Sequence, residues 1–88
     1  MTVAETEIYN SLKGHRRTEF LAGRFAGKEA FAKAQGTGIG AACNFVDIDI
    51  IPDSKGKPIL KFNGILVSGF ISITHTEKVA AAQVILQA

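Results

Sequence analysis

Three glycines within five positions, Gly36, Gly38 and Gly40, interrupt this chain near its middle and separate two halves with different patterning. A run of helix or strand does not pass readily through such a cluster, because glycine loses more backbone freedom on ordering than any other residue. Before the cluster stand long runs of helix formers. After it come short β-branched runs broken by turn residues. Helices followed by strands define an α+β order rather than the alternation of a parallel α/β fold.

In the first half, Thr2 is placed to cap a helix over residues 3–12, with Gly14 to end it and Lys13 in the last turn, where a cation suits the helix dipole. His15, Arg16 and Arg17 read as a basic connector. Residues 18–34 contain no proline and predict a second, long helix, although Gly23 and Gly27 each cost about 1 kcal/mol relative to alanine. Glycine kept at those positions implies close packing or space for a ligand.

In the second half, residues 44–51 alternate, with Val46, Ile48 and Ile50 on one face and Phe45, Asp47 and Asp49 on the other, as in a half-buried strand. Residues 52–58 form a turn by composition. Residues 59–62 predict a second strand, which Asn63-Gly64 folds back onto residues 65–67. Residues 70–75 and 79–86 predict two more strands, joined by the polar turn Thr76-Glu77-Lys78.

The chain has 88 residues, 47% hydrophobic and 20% charged, which excludes a two-domain enzyme with its own cofactor fold and excludes charge-driven disorder. So small a domain leaves apolar surface uncovered, and a partner chain is expected. The net charge of +2 argues against unaided nucleic-acid binding. Cys43 is the single cysteine, so no intrachain disulfide forms and a reducing, cytoplasmic setting is expected. No run is long and apolar enough for a membrane span, and residues 1–5 lack a signal peptide's basic-then-apolar start.

Several side chains are candidates for chemistry. At about 100° per residue, Arg17, Arg24 and Lys28 share one stripe of the long helix, either as solvated surface or as a docking site for phosphates or an acidic protein. Ala22, Phe25, Ala26, Glu29 and Lys33 share another face. Glu29 and Lys33 read either as an ordinary i,i+4 ion pair or as a magnesium ligand beside a phosphate-binding lysine. Gly36-Thr37-Gly38-Ile39-Gly40 follows a helix, so it is not a dinucleotide fingerprint. It reads as a helix C-cap whose amides face a nearby anion. His75, beside the hydroxyls of Ser72-Ile73-Thr74-His75-Thr76, is either a satisfied structural group or part of a ligand pocket. Cys43 reads as a structural thiol, while Asp47 and Asp49 read equally as paired carboxylates or as solvent-facing alternation and are assigned no role.

Residues 20–34, FLAGRFAGKEAFAKA, followed by Gly36-Thr37-Gly38, Gly56-Lys57-Pro58 and Ser72-Ile73-Thr74-His75-Thr76, resemble the holo-[acyl-carrier-protein] synthases, small 4′-phosphopantetheinyl transferases. The likeness runs from about Glu5 to the C-terminus. It implies a long helix packed on an antiparallel sheet, a single domain over residues 1–88, and a homotrimer with active sites between subunits. It also implies transfer of the phosphopantetheine arm of coenzyme A to a serine of apo acyl carrier protein, a step of fatty acid biosynthesis, with magnesium required. By this resemblance Glu29 matches the magnesium ligand and Lys33 the lysine on the coenzyme A phosphates. Gly36, Ser72, His75 and Thr76 fall in the coenzyme A site, and Arg24 in the carrier-protein surface. The family's initial Gly-Ile-Asp-type strand, which supplies a second magnesium ligand, and its basic docking helix have no counterpart here. A non-catalytic module that binds coenzyme A or carrier protein is the alternative expectation.

Overall fold

A computed structural model describes residues 1–76 and 78–87. It contains two α-helices, a short 3₁₀ turn and five strands, in the order α1 (Val3–Ser11), α2 (His15–Gln35), 3₁₀ turn (Phe45–Asp47), β1 (Ile48–Pro52), β2 (Pro58–Phe62), β3 (Ile65–Leu66), β4 (Gly69–His75) and β5 (Ala80–Leu86). The expected α+β order is observed.

Helix α1 opens on a reciprocal capping box, in which the Glu5 amide donates to Thr2 Oγ1 (3.2 Å) and the Thr2 amide donates to Glu5 Oε1 (2.9 Å). Its C-terminus departs from expectation. Gly14 does not end α1, and Lys13 is outside it; the chain turns extended at Leu12. The guanidinium of Arg17 serves the last carbonyls instead, donating from Nε to Leu12 O (2.8 Å) and from Nη2 to Asn10 O (3.2 Å). Gly14, at φ 58°, makes the corner before α2, so residues 15–17 form the first turn of that helix rather than a connector. The left-handed φ is why glycine stands there.

Helix α2 ends on Gly36 at φ 96°, and the amides of Gly36, Thr37 and Gly38 all donate to Ala32 O at 3.0–3.2 Å. The C-cap is as expected. Its amides are consumed in capping, however, and so are not offered to an anion.

The strand expected over residues 44–51 starts only at Ile48. Asn44 caps a 3₁₀ turn by accepting from the Phe45 amide (2.8 Å), while the Asp47 carboxylate accepts from the Asn44 amide (3.0 Å). This local pairing outcompetes the alternation, and Val46 is left 60% exposed while Ile48 and Ile50 are fully buried. Strands β1, β2 and β3 form an antiparallel sheet in that order, with Ile50 opposite Leu60 and Phe62 opposite Ile65. Asn63 and Gly64, at φ 52° and 81°, supply the two left-handed residues that a tight β2–β3 hairpin needs. Strands β4 and β5 form a separate antiparallel pair, from Gly69–Leu86 to His75–Ala80. In the turn between them, Thr76 Oγ1 accepts from the Val79 amide (3.1 Å). Glu77, the middle of the expected turn, lies outside the described residues.

The core gathers Phe31, Ala32, Cys43, Ile48, Ile50 and Leu60, with Ile71, Ile73, Val84 and Leu86 packed against it from the second sheet. Burial of each large aliphatic side chain contributes about 1.5–3 kcal/mol. Gly27 and Gly23 let α2 approach the strands closely: a Cβ on Gly27 would lie 2.8 Å from Ile50 Cδ1, and one on Gly23 would lie 3.2 Å from Ile73 Cγ2. The two glycines therefore serve packing.

Candidate functional site

The basic stripe expected on α2 does not lie wholly in solvent: Arg17 and Arg24 are half-buried and Lys28 is buried. The helix's buried face comprises Phe20, Gly23, Gly27, Lys28, Phe31 and Ala32, so Arg24 and Lys28 lie at or within the core boundary. Lys28 is 2% exposed, and its Nζ donates to Glu5 Oε1 (2.6 Å) and to Phe45 O (2.8 Å). Glu5, 0% exposed, also accepts from the Ile50 amide through Oε2 (2.9 Å). One carboxylate thus ties α1 to α2 and β1. Both the solvated-surface and the docking readings fail for Lys28, because burial of either charge alone would be prohibitive and the pair satisfies both.

Arg24 donates from Nε to Ile50 O (3.0 Å), and its guanidinium stacks 4.0 Å over the Phe20 ring. Loss of hydration lowers its pKa from the ordinary arginine value, and the nearby Glu5 carboxylate opposes that shift. It also lines a groove of about 320 Å³ with Ile8, Leu12, Arg16, Phe20 and His75. Two expected site residues, Arg24 and His75, are therefore brought to one groove.

His75 ends β4 with its Nδ1 2.9 Å from Glu19 Oε2, while Glu19 Oε1 lies 3.7 Å from His15 Nε2. Thr76 joins His75 in an adjacent cleft. Ser72 is exposed on β4.

Glu29 is half-buried and Lys33 exposed on α2. Among the described residues they do not form the i,i+4 ion pair, and neither side chain is hydrogen-bonded. Both remain available to a ligand. Glu29 is ten residues beyond Glu19, about 15 Å along the helix axis, so the Glu29–Lys33 pair and His75 stand at separate stations of α2. Gly36 closes the helix one turn past Lys33. Among the described residues no three His, Cys, Asp or Glu side chains are grouped to hold a metal ion. Glu29 fits magnesium as a single hard oxygen donor, in the manner of sites completed by water and substrate phosphates.

Sequence reasoning did not single out Glu5 or Glu19, and it placed Lys28 only within the basic stripe. For Glu5 and Lys28 a signal existed. Thr2 and Glu5 have the spacing of a capping box, and Lys28 stands at helical spacing from Phe20, Phe31 and Ala32 on the inward face. Nothing local links Glu19 to His75, which are far apart in the chain.

A long helix laid on antiparallel strands, with a free carboxylate and ammonium one turn apart near its C-terminus, suits phosphoryl-group chemistry. The family model of the 4′-phosphopantetheinyl transferase superfamily matches residues 1–85, and the chain belongs to that family. A holo-[acyl-carrier-protein] synthase from Bacillus pumilus is 50% identical over 88 residues, covering 99% of this chain and 73% of the relative. The crystal structure of a holo-(acyl-carrier-protein) synthase from Bacillus anthracis in complex with CoA (3′,5′-ADP) superposes with a TM-score of 0.87 at 46% identity, over 98% of this chain and 74% of that one. The Helicobacter pylori enzyme in complex with coenzyme A gives a TM-score of 0.83 at 28% identity, over 99% of this chain and 76% of that one.

Proposed function

We propose that this chain is a holo-[acyl-carrier-protein] synthase, acting as a single domain that moves the 4′-phosphopantetheine arm of coenzyme A onto a serine of apo acyl carrier protein. The observation that carries the reading is the family match over residues 1–85, which includes the helix segment bearing Glu29 and Lys33. In this reaction the serine hydroxyl attacks the pyrophosphate phosphorus nearer the pantetheine. A P–O bond forms, the P–O bond to adenosine 3′,5′-bisphosphate breaks, and the serine proton passes to solvent or a base.

Positioning and charge stabilisation dominate such transfers. Glu29 would hold magnesium, which when bound supplies charge neutralisation at the pyrophosphate oxygens. Lys33 contacts the same phosphates and stabilises the leaving group. Gly36 keeps the helix end free of a side chain, while His75 and Thr76 line the coenzyme A site; Ser72, three residues before His75 on β4, points to the opposite face of the strand. The family resemblance alone assigns Arg24 to the carrier-protein surface, its Nε being held by Ile50 O. The same resemblance implies an assembly in which sites form between subunits, here a homotrimer. The setting is the cytoplasm and the pathway fatty acid biosynthesis. Among the described residues, no helix is long and apolar enough to cross a membrane.

The test is the intact mass of apo acyl carrier protein after incubation with this chain, coenzyme A and magnesium. The expected result is a gain of one phosphopantetheine arm that a chelator prevents. Unchanged mass together with measurable coenzyme A binding would instead identify a non-catalytic binding module.

A further inference from the structure

We infer that Glu19 is a positioning residue for His75, holding its Nδ1 so that Nε2 is the ring atom presented to coenzyme A. This rests on the reading of His75 as a coenzyme A residue. The contact joins two elements far apart in sequence: Glu19 lies in the second turn of α2, and His75 is the last residue of β4. The Nδ1–Oε2 approach of 2.9 Å is an ion-pair distance, and because a carboxylate only accepts, the contact is attractive only when Nδ1 carries the proton. His75 retains 43% and Glu19 28% of their side-chain exposure, which leaves the outer part of the ring accessible.

His75 borders two openings, the groove with Arg16 and Arg24 and the cleft with Thr76 and Lys78. A ring free to rotate would offer either nitrogen to a ligand there. The Glu19 contact removes that choice, as carboxylates do for histidines whose tautomer matters. His15 approaches the other oxygen of Glu19 only to 3.7 Å, too far for a hydrogen bond, and so does not replace His75 as its partner.

The test uses the full chain. Long-range ¹H–¹⁵N spectra of the ligand-free protein, at a pH where the imidazole is neutral, should show the Nδ1–H tautomer of His75 in the wild type. Glu19→Gln should retain it through the amide oxygen, and Glu19→Ala should lose it. Calorimetric titration with coenzyme A should give a Kd raised about two- to fivefold by Glu19→Ala, the scale of an exposed ion pair, and nearly unchanged by Glu19→Gln or by His15→Ala. Glu19→Ala combined with His75→Ala should bind no more weakly than His75→Ala alone.

A wild-type tautomer and Kd in Glu19→Ala, while His75→Ala weakens binding, would overturn the inference. An unchanged Kd in His75→Ala would instead remove His75 from the coenzyme A site. The spectra would still decide whether Glu19 fixes the ring.

Discussion

The Lys28 ammonium meets the Glu5 carboxylate at 2.6 Å, with 3% and 0% of the two side chains exposed. This pair, with the amides of Thr2 and Ile50 and the carbonyl of Phe45, locks α1 against α2 and β1. Removal of one buried charge leaves the other without its counter-ion. Lys28→Met should therefore destabilise the fold by about 3–5 kcal/mol. The urea midpoint should fall with little change in slope. The double variant Glu5→Gln/Lys28→Met should recover part of the loss, since neither residue then carries an unpaired charge. A neutral Lys28→Met would show that the pair does not hold the helices together.

Gly27 and Gly23 differ in the room beside them. A methyl group at Gly27 would press on Ile50, which is fully buried, whereas at Gly23 the nearest atom lies 3.2 Å away on half-buried Ile73. Alanine gains about 1 kcal/mol in helix propensity at either position, against about 1–3 kcal/mol for overpacking. Gly27→Ala should be net destabilising by about 1 kcal/mol, and Gly23→Ala close to neutral. Thermal melts of the two variants check the order, and the reverse order would contradict the packing account.

Arg24 combines the Nε bond to Ile50 O with stacking over Phe20, a geometry lysine does not reproduce. Arg24→Lys should cost about 1–2 kcal/mol. Burial lowers the arginine pKa, so protonation of Arg24 favours the unfolded state, but a guanidinium in a protein stays protonated. Its contribution to stability should therefore be the same at neutral and mildly alkaline pH. Denaturation curves at both settle this, and a loss that changes between them would point to another group.

Glu29 and Lys33 have no hydrogen-bonded or ionic partner among the described residues, so their substitution should spare the fold. Glu29→Gln should reduce magnesium-dependent transfer at least about a hundredfold, equivalent to roughly 3 kcal/mol, with an unchanged melting temperature. Lys33→Ala should lower the rate and weaken coenzyme A binding together. Wild-type turnover in Glu29→Gln would remove the carboxylate from the metal site.

Local chemistry in the sequence determined much of this protein: the α+β order, the Thr2 cap, the Gly36 C-cap and the Asn63-Gly64 turn all depend on neighbours within a few residues. The one-turn spacing of Glu29 and Lys33 on α2 was legible in the same way, whereas their assignment to a metal and phosphate site rests on the family resemblance. What spacing alone left open is where side chains face. Residues 15–17 became helix because Gly14 turns the corner and Arg17 caps α1, and β1 began late because Asn44 and Asp47 close a 3₁₀ turn. Helical periodicity put Arg24 and Lys28 on one stripe, but only the arrival of Glu5 and β1 buried Lys28 and half-buried Arg24. Glu19 and His75 likewise meet only once β4 lies along α2. Contacts between distant segments depend on which faces pack, and that is decided when the whole chain buries its apolar surface together.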